Sequence, residues 1–216
     1  SASIVPATLA LAQVTQASPR DVLAAAVVGY AEAARLGRLP PGAFQRHGFQ
    51  STCVLGTFAT ASIAARLLGL SDAQAVNAFG IAGSMASGLM EFLSDGSDAK
   101  QMHPGWSALA GIRAARLAKA GMSGPASVFE GRYGIFPSFA RTAVDAAQVA
   151  ATVGAPWEVE SMGPKPYPAC LCVHPQVQAV LELRARGVIA ADRIDDIEEI
   201  ACDVPELYAH LVHEPR

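Results

Sequence analysis

The 216 residues are 51% hydrophobic, 16% charged and 6% aromatic, with 19 acids against 16 bases. That balance excludes a disordered chain, which needs low hydrophobicity and high net charge. It also lacks the basic excess of a nucleic-acid binder, and four cysteines over this length do not make a disulfide scaffold. The mean hydropathy of +0.29 reflects alanine rather than membrane spans, because Gly29 and Glu32 interrupt Val22–Ala34 and Arg66 breaks Phe58–Leu70. Neither run approaches the roughly 20 apolar residues that cross a bilayer.

In chain order, Ser1–Pro6 has neither an initiator Met nor a basic n-region. The expectation is a chain that begins inside a longer precursor or was trimmed, with no signal peptide at this end. A first helix is expected over Ile4–Gln16. Ser18-Pro19-Arg20-Asp21 then places an N-cap, a proline in the first turn and an acid beside it, which predicts a helix over Pro19–Leu36 ended by Gly37. A third helix is expected over Thr52–Leu68, carrying Gly56, Ala59, Thr60 and Ala64 on one side for close helix approach. Ser71-Asp72 starts a fourth, over Asp72–Met90, so rich in glycine that it needs tight burial to form. A fifth is expected over Pro104–Ala120, with short helices over Pro125–Glu130 and Thr142–Val153.

The pattern changes near Ala155-Pro156. Trp157–Ser161 alternates like a strand, and Gly163–Pro168 has proline at every second position and cannot be helical. A helix over Pro175–Arg186 follows, and Ile194–Val204 alternates as a half-solvated strand. The expected organisation is a helical domain over residues 1–155 and the beginning of an α+β domain over 156–216.

The densest polar cluster is Glu91–Gly105, joining two helices rich in small residues. Lys100 and His103 are expected just before the fifth helix, whose N-terminal N–H groups would favour a carboxylate or phosphate. The competing reading is a solvated loop whose Ser and Asp residues cap helices. In Lys165-Pro166-Tyr167-Pro168-Ala169-Cys170 the prolines stiffen the backbone, so Lys165 makes a preorganised anion anchor, or the segment is simply a rigid linker. Cys170, Cys172 and His174 lack the spacing of a zinc site and read better as buried cysteines at a helix start. Cys53 sits where a helix N-terminus could depress its pKa, although a buried structural cysteine is the more ordinary reading. No Walker, dinucleotide-binding or nucleophile-elbow motif is present.

Several segments together resemble the MmgE/PrpD family, which includes 2-methylcitrate dehydratase, cis-aconitate decarboxylase and iminodisuccinate epimerase. They are Gly88–Gly105, Gly121-Met122-Ser123-Gly124-Pro125, Phe129-Glu130-Gly131-Arg132-Tyr133-Gly134 and Lys165–Cys170 with His174-Pro175, preceded by Gly29–Arg35 and Arg66–Leu70. The resemblance implies a mainly α fold, in which a helical domain joins a smaller α+β lid with the site in the cleft between them. It also implies a homodimer, no metal or organic cofactor, and a small di- or tricarboxylate as substrate. The charge balance and the broken apolar runs give no expectation of a nucleic-acid or membrane partner, and reduced cysteines are compatible with a cytoplasmic location.

Carried over by motif, Lys100, His103 and Lys165 are the catalytic candidates, and Ser94, Asp95, Gln50 and Tyr167 the substrate-binding ones. Family members commonly have histidine where this chain has Gln50, which can hydrogen-bond but cannot shuttle protons near neutral pH. They also carry an acidic, histidine-bearing motif just upstream of a stretch like Ser1–Pro6, so the resemblance implies roughly half of a family protein. The expected activity is a PrpD-like lyase, dehydrating substrates of the 2-methylcitrate type by acid/base chemistry. The alternative is an inactive relative that binds carboxylates or dimerises.

Overall fold

The computed structural model describes residues 2–39, 41–151, 153 and 157–190. Among them the chain is helical, with no strand beyond a single antiparallel bridge between Phe49 and Leu89. It divides into two compact units between Ser161 and Met162.

The first unit is built around one buried helix. Helices α1 (Ile4–Thr15) and α2 (Pro19–Arg38) precede the short α3 (Ala43–Arg46) and the central α4 (Ser51–Leu67), in which every residue from Cys53 to Ala64 is buried. Helices α5 (Asp72–Met85), the single-turn α6 (Phe92–Asp95) and α7 (Ala99–Lys119) follow. Around α4 pack α7, α2, α5 and α1.

Small residues set how closely these helices approach. A Cβ on Gly111 of α7 would lie 2.1 Å from Thr60 Oγ1 and 2.4 Å from the Thr57 carbonyl oxygen of α4. The Thr60 hydroxyl reaches the Ser107 carbonyl at 2.7 Å, and the Ser3 and Ser107 hydroxyls meet at 2.7 Å across Gly56. Beside this seam Phe58, Phe79, Phe129 and Phe136 form an aromatic cluster with centroids 5.0–6.3 Å apart. Phe129 anchors to α4 and α5 the segment that follows α7.

The caps behave as the sequence expects at α2, where Ser18 accepts from the Asp21 N–H at 3.2 Å. At α5, Ser71 and Gln74 form a reciprocal capping box. Other boundaries differ. The fourth expected helix stops at Met85 instead of Met90, because Gly88 adopts φ +111° and residues 88–90 give their backbone groups to the segment before α4. The Gln50 N–H donates to the Gly88 carbonyl at 2.9 Å, and the Met90 N–H to the Gly48 carbonyl at 2.8 Å.

The fifth helix starts at Ala99, not Pro104. Ala, Lys, Gln and Met are strong helix formers, and Pro104 is accommodated inside α7 at the loss of one hydrogen bond. Pro125–Glu130, expected as a short helix, is instead turn over residues 126–130, held by a Gly131 N–H to Ser127 carbonyl bond of 2.8 Å, and a short π-turn covers Phe136–Ala140. α8 spans only Ala146–Ala151, since Asp145 and Gln148 exchange side-chain-to-backbone bonds that fix its start. Trp157–Ser161, expected as a strand, has a 3₁₀ turn over Glu158–Ser161, because no neighbouring strand is there to pair with it among the described residues. The expected strand over Ile194–Val204 lies outside the described residues.

In the second unit, Gly163–Pro168 is non-helical as its prolines require, a 3₁₀ turn covers Leu171–Val173, and α9 runs over His174–Ala185. No helix among the described residues is long and apolar enough to cross a membrane.

Candidate functional site

The segment from Ser87 to Trp106 folds around an open groove of about 480 Å³. Its wall includes Gly88, Glu91, Phe92, Asp95, His103 and Trp106. Two close approaches shape it. Gly88 passes between the start of α4 and the His103 ring, where a Cβ would lie 2.6 Å from the Cys53 Cβ and 3.5 Å from the imidazole Cε1. Phe92 meets the His103 ring edge-on, with centroids 5.6 Å apart.

Lys100 and His103 do not precede α7 but lie within its opening turns. A lysine there is unfavourable, because the helix N-terminus already carries partial positive charge. Its ammonium stands 5.6 Å from the Phe92 ring centroid, a cation–π contact that offsets part of this cost. His103 is 4% exposed, and its Nδ1 meets no hydrogen-bonding group among the described residues. Burial pushes the imidazole below its ordinary pKa, and the Lys100 charge pushes the same way. A histidine kept neutral at pH 7 is available to take up a proton.

Asp95 lies on the rim, exposed, where the Ser97 N–H donates to it at 2.9 Å and helps hold its carboxyl below the usual carboxylate range. As an ionised acceptor it suits a hydroxyl of a ligand and repels a carboxylate. Ser94, in α6, is exposed and is not part of the groove wall. Gln50 is committed locally, since its Oε1 accepts the Cys53 N–H at 2.9 Å and caps α4. The Cys53 thiol is fully buried, and burial raises its pKa despite hydrogen bonding with Ser87, so the helix start does not activate it.

The second unit holds the other two candidates. The exposed Lys165 donates to the Ala169 carbonyl at 3.0 Å, closing its own proline-rich turn. The Tyr167 hydroxyl donates to Gln178 Oε1, while Gln178 Nε2 donates to Glu182 Oε1 at 2.7 Å. The Tyr167 ring also packs edge-on against buried His174, with centroids 5.3 Å apart. Cys170 is exposed and Cys172 half-buried, so the expectation of buried cysteines is wrong for Cys170, which precedes a short surface turn. No group of three or more His, Cys, Asp or Glu side chains among the described residues is placed to hold a metal ion.

Gly88, Phe92, Met102 and Trp106 are site features that the reading of polar residues missed. Glycine at position 88 was the available signal, obscured by assigning it to a continuous helix.

The helical scaffold, with buried His103 in the wall of a groove at the start of α7, sets the general class. The family model of the MmgE/PrpD N-terminal domain matches residues 1–147, and the chain belongs to the MmgE/PrpD family. It is 30% identical to a cis-aconitate decarboxylase-like protein, oryM, of Aspergillus oryzae over 96% of this chain and 46% of that one. It is 31% identical to a cis-aconitate decarboxylase of Aspergillus terreus over 86% of this chain and 40% of the relative. The chain thus spans less than half the length of these curated relatives.

Proposed function

We propose that this chain supplies the helical part of a PrpD-like lyase that acts on a small di- or tricarboxylate. The observation that carries this reading is His103, buried, unpartnered at Nδ1 and held neutral beside Lys100 on the family's own scaffold. In this reading Lys100 and Lys165 neutralise substrate carboxylates, and stabilise negative charge as it develops. His103 transfers the proton, Asp95 and Tyr167 orient polar groups, and Ser94 contributes at the rim. Family resemblance alone supports the homodimer that goes with it, and reduced cysteines are compatible with a cytoplasmic setting.

Two reactions use this equipment. In dehydration, a base removes a proton next to a carboxylate and an acid helps hydroxide leave, giving an alkene and water. In decarboxylation, the carbon–carbon bond to a carboxylate breaks, its electron pair stays on carbon, and a proton replaces the departing carbon dioxide. The resemblance to the family at large suggests dehydration of a 2-methylcitrate-type substrate. The names of the relatives favour decarboxylation of cis-aconitate.

The test is to incubate the protein separately with cis-aconitate, 2-methylcitrate and citrate, following carbon dioxide release and alkene absorbance. Lys100→Ala and Lys165→Ala should each lower turnover by about a hundredfold or more. Wild-type rates in both variants would sink the assignment. Gln50 favours a second reading, in which the protein binds carboxylates without turning them over, because its side-chain oxygen is engaged in capping and cannot titrate. Tight tricarboxylate binding with no product from any of the three substrates would support that reading instead.

A further inference from the structure

A second groove, of about 470 Å³, is walled by residues of α5 and of the segment that follows α7, and shares no wall residue with the first. Its wall includes Ser84, Ser127, Arg132, Tyr133, Ser138 and Phe139, with no carboxylate among its lining residues. Arg132 is exposed and makes no ion pair among the described residues; its guanidinium carbon stands 5.1 Å from the Tyr133 ring centroid. Tyr133 is itself 82% exposed, which is costly for an aromatic ring with nothing to cover it.

The segment bearing these two residues is rigidly placed. The Gly131 N–H donates to the Ser127 carbonyl at 2.8 Å, and the Ile135 N–H to the Val128 carbonyl at 2.7 Å. The Gly124 N–H donates to Asn77 Oδ1 of α5 at 3.1 Å. A Cβ on Gly80 would lie 2.5 Å from Pro125 N, so α5 and this segment meet backbone to backbone. Arg132 is therefore held by a fixed turn at a groove whose wall also includes Ser84, Ser127 and Ser138.

We infer that this groove is a second oxyanion site, in which Arg132 and the neighbouring serines hold a carboxylate or phosphate group while Tyr133 covers the ligand's body. A guanidinium offers paired donors matched to such groups, and nearby hydroxyls supply further donors. The site is separate from the groove that His103 lines and does not depend on the lyase reading.

The experiment titrates the 216-residue protein with tricarballylate and, separately, with inorganic phosphate, by calorimetry and by NMR of the Arg132 side-chain Nε–Hε signal. The variants are Arg132→Gln and Arg132→Lys, with Lys100→Ala to isolate the other groove and circular dichroism to check helix content. At least one anion should shift the Arg132 signal in both wild type and Lys100→Ala. Arg132→Gln should weaken that binding about tenfold or more, and Arg132→Lys should restore part of it. Response to tricarballylate alone makes the ligand a carboxylate, and response to phosphate alone makes it a phosphate; either supports the site. An unmoved Arg132 signal with both anions, or unchanged binding in a folded Arg132→Gln protein, would overturn it.

Discussion

Burial and the Lys100 charge both disfavour protonated His103, which ties its titration to folding. A group with a depressed folded pKa binds fewer protons in the native state than in the unfolded state. Its contribution to stability is therefore complete above the unfolded value, about 6.5 for histidine, and is lost as pH falls through that value toward the lower native one. Half-buried Glu32 acts in the opposite sense, because partial burial raises its carboxyl against the lowering influence of Arg35. The informative quantity is thus the difference between proteins. Urea midpoints of wild type should fall more steeply than those of His103→Gln between about pH 7 and pH 5, and parallel curves would show that His103 does not titrate with folding. The residue types at this site were legible in the sequence, since Lys100, His103 and Asp95 stood out by chemistry. Their environment was not, because a linear chain does not disclose that Gly88 and Phe92 pack against the imidazole.

Among the helices, the α4–α7 seam depends on the absence of a side chain. Gly111→Ala would push a methyl against Thr60 and the α4 backbone, neither of which is the far end of a flexible side chain. The alanine's better helix propensity, worth about 1 kcal/mol, is smaller than the overpacking cost of about 1–3 kcal/mol or more. Chemical denaturation should therefore show a net loss of stability, and a gain would mean the helices separate freely. Periodicity and capping residues predicted where α1, α2, α4 and α9 run to within a residue or two. They failed where backbone groups found distant partners, at the end of α5, or where a proline was tolerated, near the start of α7. An alternating pentapeptide at Trp157–Ser161 was too short to specify a strand without a neighbour to pair with.

For the molecule as a whole, each unit carries one of the two proposed anchoring lysines, Lys100 in the first and Lys165 in the second. Each is tested by itself. Calorimetric titration of tricarballylate should show affinity lowered about tenfold or more by Lys100→Ala, and likewise by Lys165→Ala. Unchanged affinity in either variant would remove that lysine from the proposed substrate contacts.

The sequence by itself determined the mainly helical class, through composition and small-residue periodicity, and the family, through long motifs in order. It also identified which side chains carry useful chemistry, because that is a property of residue type. Only the tertiary structure decided that Gln50 caps a helix, that His103 is buried with no hydrogen-bond partner for Nδ1 among the described residues, and that Arg132 lines a groove of its own. Those properties arise from desolvation and from contacts between residues far apart in the chain, such as Ser3 with Ser107 and Gly88 with Cys53 and His103.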